Sequence, residues 1–61
     1  MKYKGHNIVK FESMLQIVYV VDGDEAKAYW SLTDAKRAIN GKPVLFEPVN
    51  IECNPFFEQK G

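Results

Sequence analysis

The run from Met14 to Val21 constrains this chain more than any other segment. Successive side chains of a strand point to opposite faces. Here Leu15, Ile17, Tyr19 and Val21 share one parity, while Val18 and Val20 share the other with Gln16. A β-branched run that is apolar on both parities reads as a strand with two covered faces. A chain of 61 residues has little material with which to cover them. A domain of this size buries only about 60% of the surface its unfolded chain exposes. With one cysteine, Cys53, it forms no internal disulfide. His6 and Cys53 are the only good soft metal ligands, and a structural zinc site wants four. The second face must therefore be covered by the rest of the chain, by a second copy or by another protein.

The neighbouring segments supply the first face. Tyr3 to Phe11 reads as a strand in which Tyr3, Val9 and Phe11 oppose Lys4, His6 and Lys10, with a bend or bulge at Gly5. Glu12-Ser13 is expected to be a tight turn leading into the strand Met14–Val21. Asp22-Gly23 is a strong hairpin signal, because the central positions of a type I′ turn need positive φ. The third strand then runs from Glu25 to Trp30, with Trp30 in the core at the sheet–helix junction. Ser31 to Asp34 opens a helix, with Ser31 as N-cap, Thr33 as the competing cap, and Asp34 at N3 counted from Ser31, near the positive end of the dipole. Leu32, Ala35, Ala38 and Ile39 make a narrow apolar stripe. Asn40-Gly41 ends the helix and Pro43 forbids its continuation.

The last third holds all three prolines but also Val44, Leu45, Phe46, Val49, Ile51, Phe56 and Phe57. It is too apolar for a disordered tail, and its prolines suit edge strands or crossing segments. Val44–Phe46 and Val49–Ile51 are the candidate short strands. The expected fold is α+β: a three-stranded antiparallel meander packed on one short helix, with an extended C-terminal segment adding one or two short edge strands. It forms a single small domain over 1–61, with a βββα unit at 3–42, an apolar tail at 43–57 and a frayed end at 58–61.

From Tyr3 to Ile39 the order is strand, strand, strand, helix. With the opening Tyr3-Lys4-Gly5, the Asp22-Gly23 hairpin and the helix start Ser31-Leu32-Thr33-Asp34-Ala35-Lys36, the chain resembles two groups. One is the assortment of short phage and prophage proteins that open with a Tyr-Lys-Gly strand and close with a Ser-Leu-x-x-Ala-Lys helix. The other is the arm-type DNA-binding domain of tyrosine integrases, three antiparallel strands packed on one helix. The first resemblance implies an accessory protein that docks on a host or viral protein and modulates or inhibits it. The second implies DNA binding. Those integrase domains carry Arg and Lys on the sheet face that reads DNA, whereas this chain has few basic residues on its strands.

Charge bears on the same choice. Eight Lys and Arg balance eight Asp and Glu, but unevenly. Up to Lys42 there are seven cations against five acids, a local charge of +2, and from Pro43 onward one against three, −2. The split favours a tail folded back on the rest. Lys4, His6 and Lys10 share a strand face that Lys27 can join, and this set is the candidate nucleic-acid contact. Tyr29 and Trp30 could stack on bases.

Other chemistry is thinner. His6 and Cys53 could pair as base and nucleophile, but nothing orients them, and Glu52 beside Cys53 works against a thiolate. Asp22, Asp24 and Glu25 read as a solubilised turn rather than a calcium loop, which needs twelve residues with ligands at set positions. Asn54-Pro55-Phe56 matches a tripeptide that endocytic adaptor domains recognise, yet its apolar surroundings read as structural. No enzyme activity, metal or cofactor is expected. The leading expectation is a protein-binding module whose interface draws on Tyr19, Tyr29, Phe46, Phe56 and Phe57, since aromatics dominate hot spots. A DNA-binding accessory domain comes second and a structural homodimer third. No apolar run approaches the ~20 residues that span a bilayer, and no secretory leader is recognisable. No membrane partner is expected, and a cytoplasmic location is.

Overall fold

The structure, a computed structural model, describes residues 1–59. Its elements are β1 (Lys2–Tyr3), β2 (His6–Glu12), β3 (Ile17–Val21), β4 (Ala28–Tyr29), the helix α1 (Leu32–Ile39) and β5 (Glu58–Gln59). The fold is α+β: an antiparallel sheet in the order β1-β2-β3-β4, with β5 pairing β2 and one short helix. β3 occupies one edge of β2 along Ile8 to Glu12. β5 therefore lies on the other edge with β1, at the opposite end of the strand.

Two turns differ from the sequence expectation. The bend near Gly5 is a complete reversal: Lys4 and Gly5 both have positive φ, 51° and 82°, and Tyr3 faces His6 across a two-residue turn. Glycine takes such a φ freely, while Lys4 pays roughly 1 kcal/mol for its Cβ. After β2 the chain does not turn at Glu12-Ser13. A four-residue loop, 13–16, is closed by the Ser13 amide bonding the Gln16 carbonyl at 2.8 Å, and the strand starts at Ile17. The resulting register sets Val9 opposite Val20 and Phe11 opposite Val18. A turn at Glu12-Ser13 would have set Val9 against Gln16, so matched β-branched and aromatic pairs explain the choice. The Asp22-Gly23 turn forms as expected, with φ of 54° and 75° and the Asp24 amide on the Val21 carbonyl at 3.0 Å. A second turn, Lys27 amide to Asp24 carbonyl, delays β4 until Ala28.

Directly paired residues share a face. Val9, Phe11, Val18, Val20 and Ala28 thus lie on one side, and Ile8, Lys10, Tyr19, Val21 and Tyr29 on the other. The helix takes the second side, where Ala38 and Ile39 share a cleft with Val21 and Tyr29. Ser31 caps it, its side chain accepting the Asp34 amide at 3.1 Å. At the other end Gly41, φ 72°, sits at C′. The Gly41 amide reaches Ala38 and the Lys42 amide reaches Arg37, a Schellman stop. Trp30 lies beyond β4 and is 36% exposed rather than in the core.

The tail covers the first side. Asp34 is fully buried, and its carboxylate accepts the amides of Leu45 (3.0 Å) and Phe46 (3.1 Å). Val44–Phe46 is consequently a bend held by the helix rather than a strand. Val49 then pairs with Ala28 by two backbone bonds, and the Ile51 amide bonds the Glu25 carbonyl. Ile51, 3% exposed, completes a core with Val18, Val20 and Ala28, against which Phe11, Val49 and Phe57 pack. Asn50 and Asn54 each accept the amide two residues on, turning the chain back across the sheet. Glu58 and Gln59, expected to fray, pair with Glu12 and Phe11 instead, while residues 60 and 61 of that expected frayed end lie outside the described residues.

If the tail is integral core, Ile51→Ala should cost about 2–4 kcal/mol in urea denaturation, as a deep core truncation does. Asp34→Ala, which strands two amides, should cost about 2 kcal/mol or more. A loss below about 0.5 kcal/mol for both would mean that the tail is not docked.

Candidate functional site

The residues singled out from the sequence are not brought together. Phe57 is spent in the core. Tyr19 and Tyr29 are half-buried neighbours on the helix side of the sheet. Phe46, 62% exposed, lies beside Asp34, and Phe56, 75% exposed, lies near the β2–β3 loop. Only the last two of the five are open to a partner in the way an interface hot spot requires.

The most exposed apolar side chains are ones the sequence reading placed inside a strand. Met14 and Leu15, at the tip of the 13–16 loop, are 95% and 93% exposed. Ile17, at the start of β3, is 45% exposed. A shallow hollow joins Met14 to Phe56, with Glu12, Ser13 and Glu58 as the rest of its lining. The tip exists because the four-residue loop lifts Met14 and Leu15 off the ladder. The flanking Ser13 and Gln16 were the available signal: polar residues bracketing a pair of apolar ones fit a loop of that length.

The cations expected to line one face are divided. Lys10 lies 3.5 Å from Glu12. His6 Nδ1 is 2.6 Å from Asp22 Oδ2, and the Asn7 amide donates to the other carboxylate oxygen at 2.9 Å. His6 and Lys27 line a cleft of about 320 Å³ together with Asp22, Asp24 and Tyr29, so acids balance the bases there. Tyr29 has its phenol raised by burial first and by the Asp24 charge second. Lys4 sits elsewhere, on the β1–β2 turn, and its ammonium bonds Asn40 Oδ1. The set Lys4, His6, Lys10 and Lys27 therefore does not form one basic patch.

A different basic cluster forms around Tyr3. The ammonium groups of Lys4 and Lys36 lie 5.7 and 5.2 Å from its ring centre. Asn40 Nδ2 donates to its hydroxyl oxygen at 3.1 Å. That bond, reinforced by the charges of Lys4, Lys36 and Lys42 and opposed by desolvation, holds the Tyr3 phenol below its ordinary value. Nothing in the local sequence pattern ties Lys36 and Lys42 to Tyr3, thirty-odd residues away.

His6 and Cys53 line separate hollows, Cys53 with Asn50, Asn54, Pro55 and Phe56. Cys53 is exposed. The Asn54 side chain is occupied within its own turn, bonding the Phe56 amide. Among the described residues no three His, Cys, Asp or Glu side chains converge as a metal site would require, and no helix is long and apolar enough to cross a membrane. No protein-family model, curated protein or solved structure matches this chain.

Asp22 gives a pH test. The His6 bond, then the Asn7 amide, hold its carboxyl below its ordinary value of 3.8. A depressed folded value stabilises fully above the unfolded value and is lost as pH falls through the folded one. The melting-temperature gap between wild type and Asp22→Asn should therefore be full above about pH 5 and close as the pH drops below about 4. A gap independent of pH would show that ionisation of Asp22 contributes nothing.

Proposed function

We propose that this chain is a small non-enzymatic protein-binding module that engages its partner through the apolar tip of the β2–β3 hairpin, Met14 and Leu15 with Phe56 beside them. The near-complete exposure of Met14 and Leu15 carries this reading. The tail already covers Val18 and Val20, and the helix covers part of the opposite side, so the tip is not core surface awaiting its own chain. Contiguous exposed apolar side chains on a small domain mark an interaction site. Methionine adapts to irregular surfaces, and Phe56 supplies an aromatic anchor. The resemblance to short phage and prophage proteins supports the partner class of this reading: a cytoplasmic host or viral protein that the domain modulates or inhibits by occupying a surface. Coverage of the Val18 and Val20 face by the tail favours a self-contained domain over an obligate homodimer.

The double variant Met14→Ser, Leu15→Ser separates binding from folding. Its stability should stay within about 0.5 kcal/mol of wild type, because both side chains are solvated. Immobilised wild type should retain a partner from host lysate that the double variant loses and a Tyr19→Ser control keeps. Equal retention by wild type and double variant would refute the assignment of the tip.

A further inference from the structure

The cluster around Tyr3 lies at the other end of β2 from the apolar tip. Seven residues, His6 to Glu12, separate the two. At about 3.4 Å per residue that is about 20 Å. Three elements of the chain contribute to the cluster: the β1–β2 turn gives Lys4, the helix gives Lys36, and Lys42 follows the Schellman stop two residues past Asn40, which bonds Tyr3. Among the described residues, none of these three has a carboxylate within 4.0 Å, whereas Lys10 and His6 each have one. Tyr3 accepts from Asn40, which leaves its own O–H to donate. Asn40 also accepts from Lys4, so one side chain positions both the phenol and an ammonium.

We infer that this end of the domain, Lys4, Lys36 and Lys42 around Tyr3, binds the phosphate backbone of a nucleic acid. Lys4 and Lys42 are exposed and Lys36 is half-buried, so the cluster opens on solvent. A single small anion gains little from separated, solvated ammonium groups. A polymer of phosphates touches several at once and releases its condensed counterions. A lipid surface fits less well, because interfacial binding pairs cations with several apolar side chains on one face, and here the most exposed ones, Met14 and Leu15, lie at the far end, with the half-exposed Met1 two residues from Tyr3. The contacts would position the domain without reading sequence. None of these residues belongs to the hairpin tip, so this inference and the protein-binding reading can fail separately.

Fluorescence anisotropy with a short labelled duplex of mixed sequence, titrated at several salt concentrations, tests it. Three phosphate contacts should give a slope of log K against log salt of about −2.7. Lys36→Gln, Lys42→Gln and Lys4→Asn should each flatten that slope by about 0.9. Lys10→Gln and Lys27→Gln should leave it unchanged. Lys4→Asn is decisive because asparagine tolerates the positive φ of the turn, so the variant should melt no lower than wild type while binding less well. The inference is overturned by absence of binding at low salt, by a slope that the three variants do not move, or by binding to phosphatidylserine vesicles but not to the duplex.

Discussion

Asp34 holds this small domain together at the point where the helix meets the tail. A carboxylate with no solvent exposure is costly unless its bonds are made. Here both oxygens are used, one on the Leu45 amide and one on the Phe46 amide. Its position in the first helical turn adds the favourable end of the dipole. The bond lengths, 3.0 and 3.1 Å, are ordinary. What matters is where they start the tail. From Phe46 the chain is aimed at the open edge of β4, where Val49 pairs with Ala28 and Ile51 drops into the core. In this way 61 residues cover two faces of one strand with no disulfide.

That economy decides what is left outside. With Val18 and Val20 sealed by the chain's own tail, two of the remaining exposed features lie at opposite ends of β2, while Leu45 and Phe46 stay exposed beside the helix start. One end carries Met14, Leu15 and Phe56, the other Lys4, Lys36 and Lys42 around Tyr3. The cleft between strand ends and helix, with His6, Asp22, Asp24 and Lys27, balances its charges internally.

Local chemistry was the legible part of the sequence. Ser31, Asn40 and Gly41 bound the helix where capping rules put them, and Asp22-Gly23 turns where positive φ was expected. The two-faced character of Val18 to Val21 correctly demanded a second cover. Register was not legible, because it depends on which cross-strand pairs win, and Phe11 with Val18 favoured a longer loop over the turn at Glu12-Ser13. That one difference moved Met14 and Leu15 from expected core to the surface. Asp34 looked like a helix-start residue and nothing more, since its partners lie eleven and twelve residues on, beyond the reach of helical periodicity. A still longer separation, thirty-odd residues, hid the approach of Lys36 to Tyr3.

Amide hydrogen exchange on the monomeric protein at low concentration tests the folded-back tail most directly. Val49 and Ile51, bonded to Ala28 and Glu25, should exchange as slowly as Val18 and Val20, and Leu45 and Phe46 should share part of that protection. Rapid exchange at all four tail positions, with protection kept at Val18 and Val20, would contradict it: something other than the tail would then be covering that face.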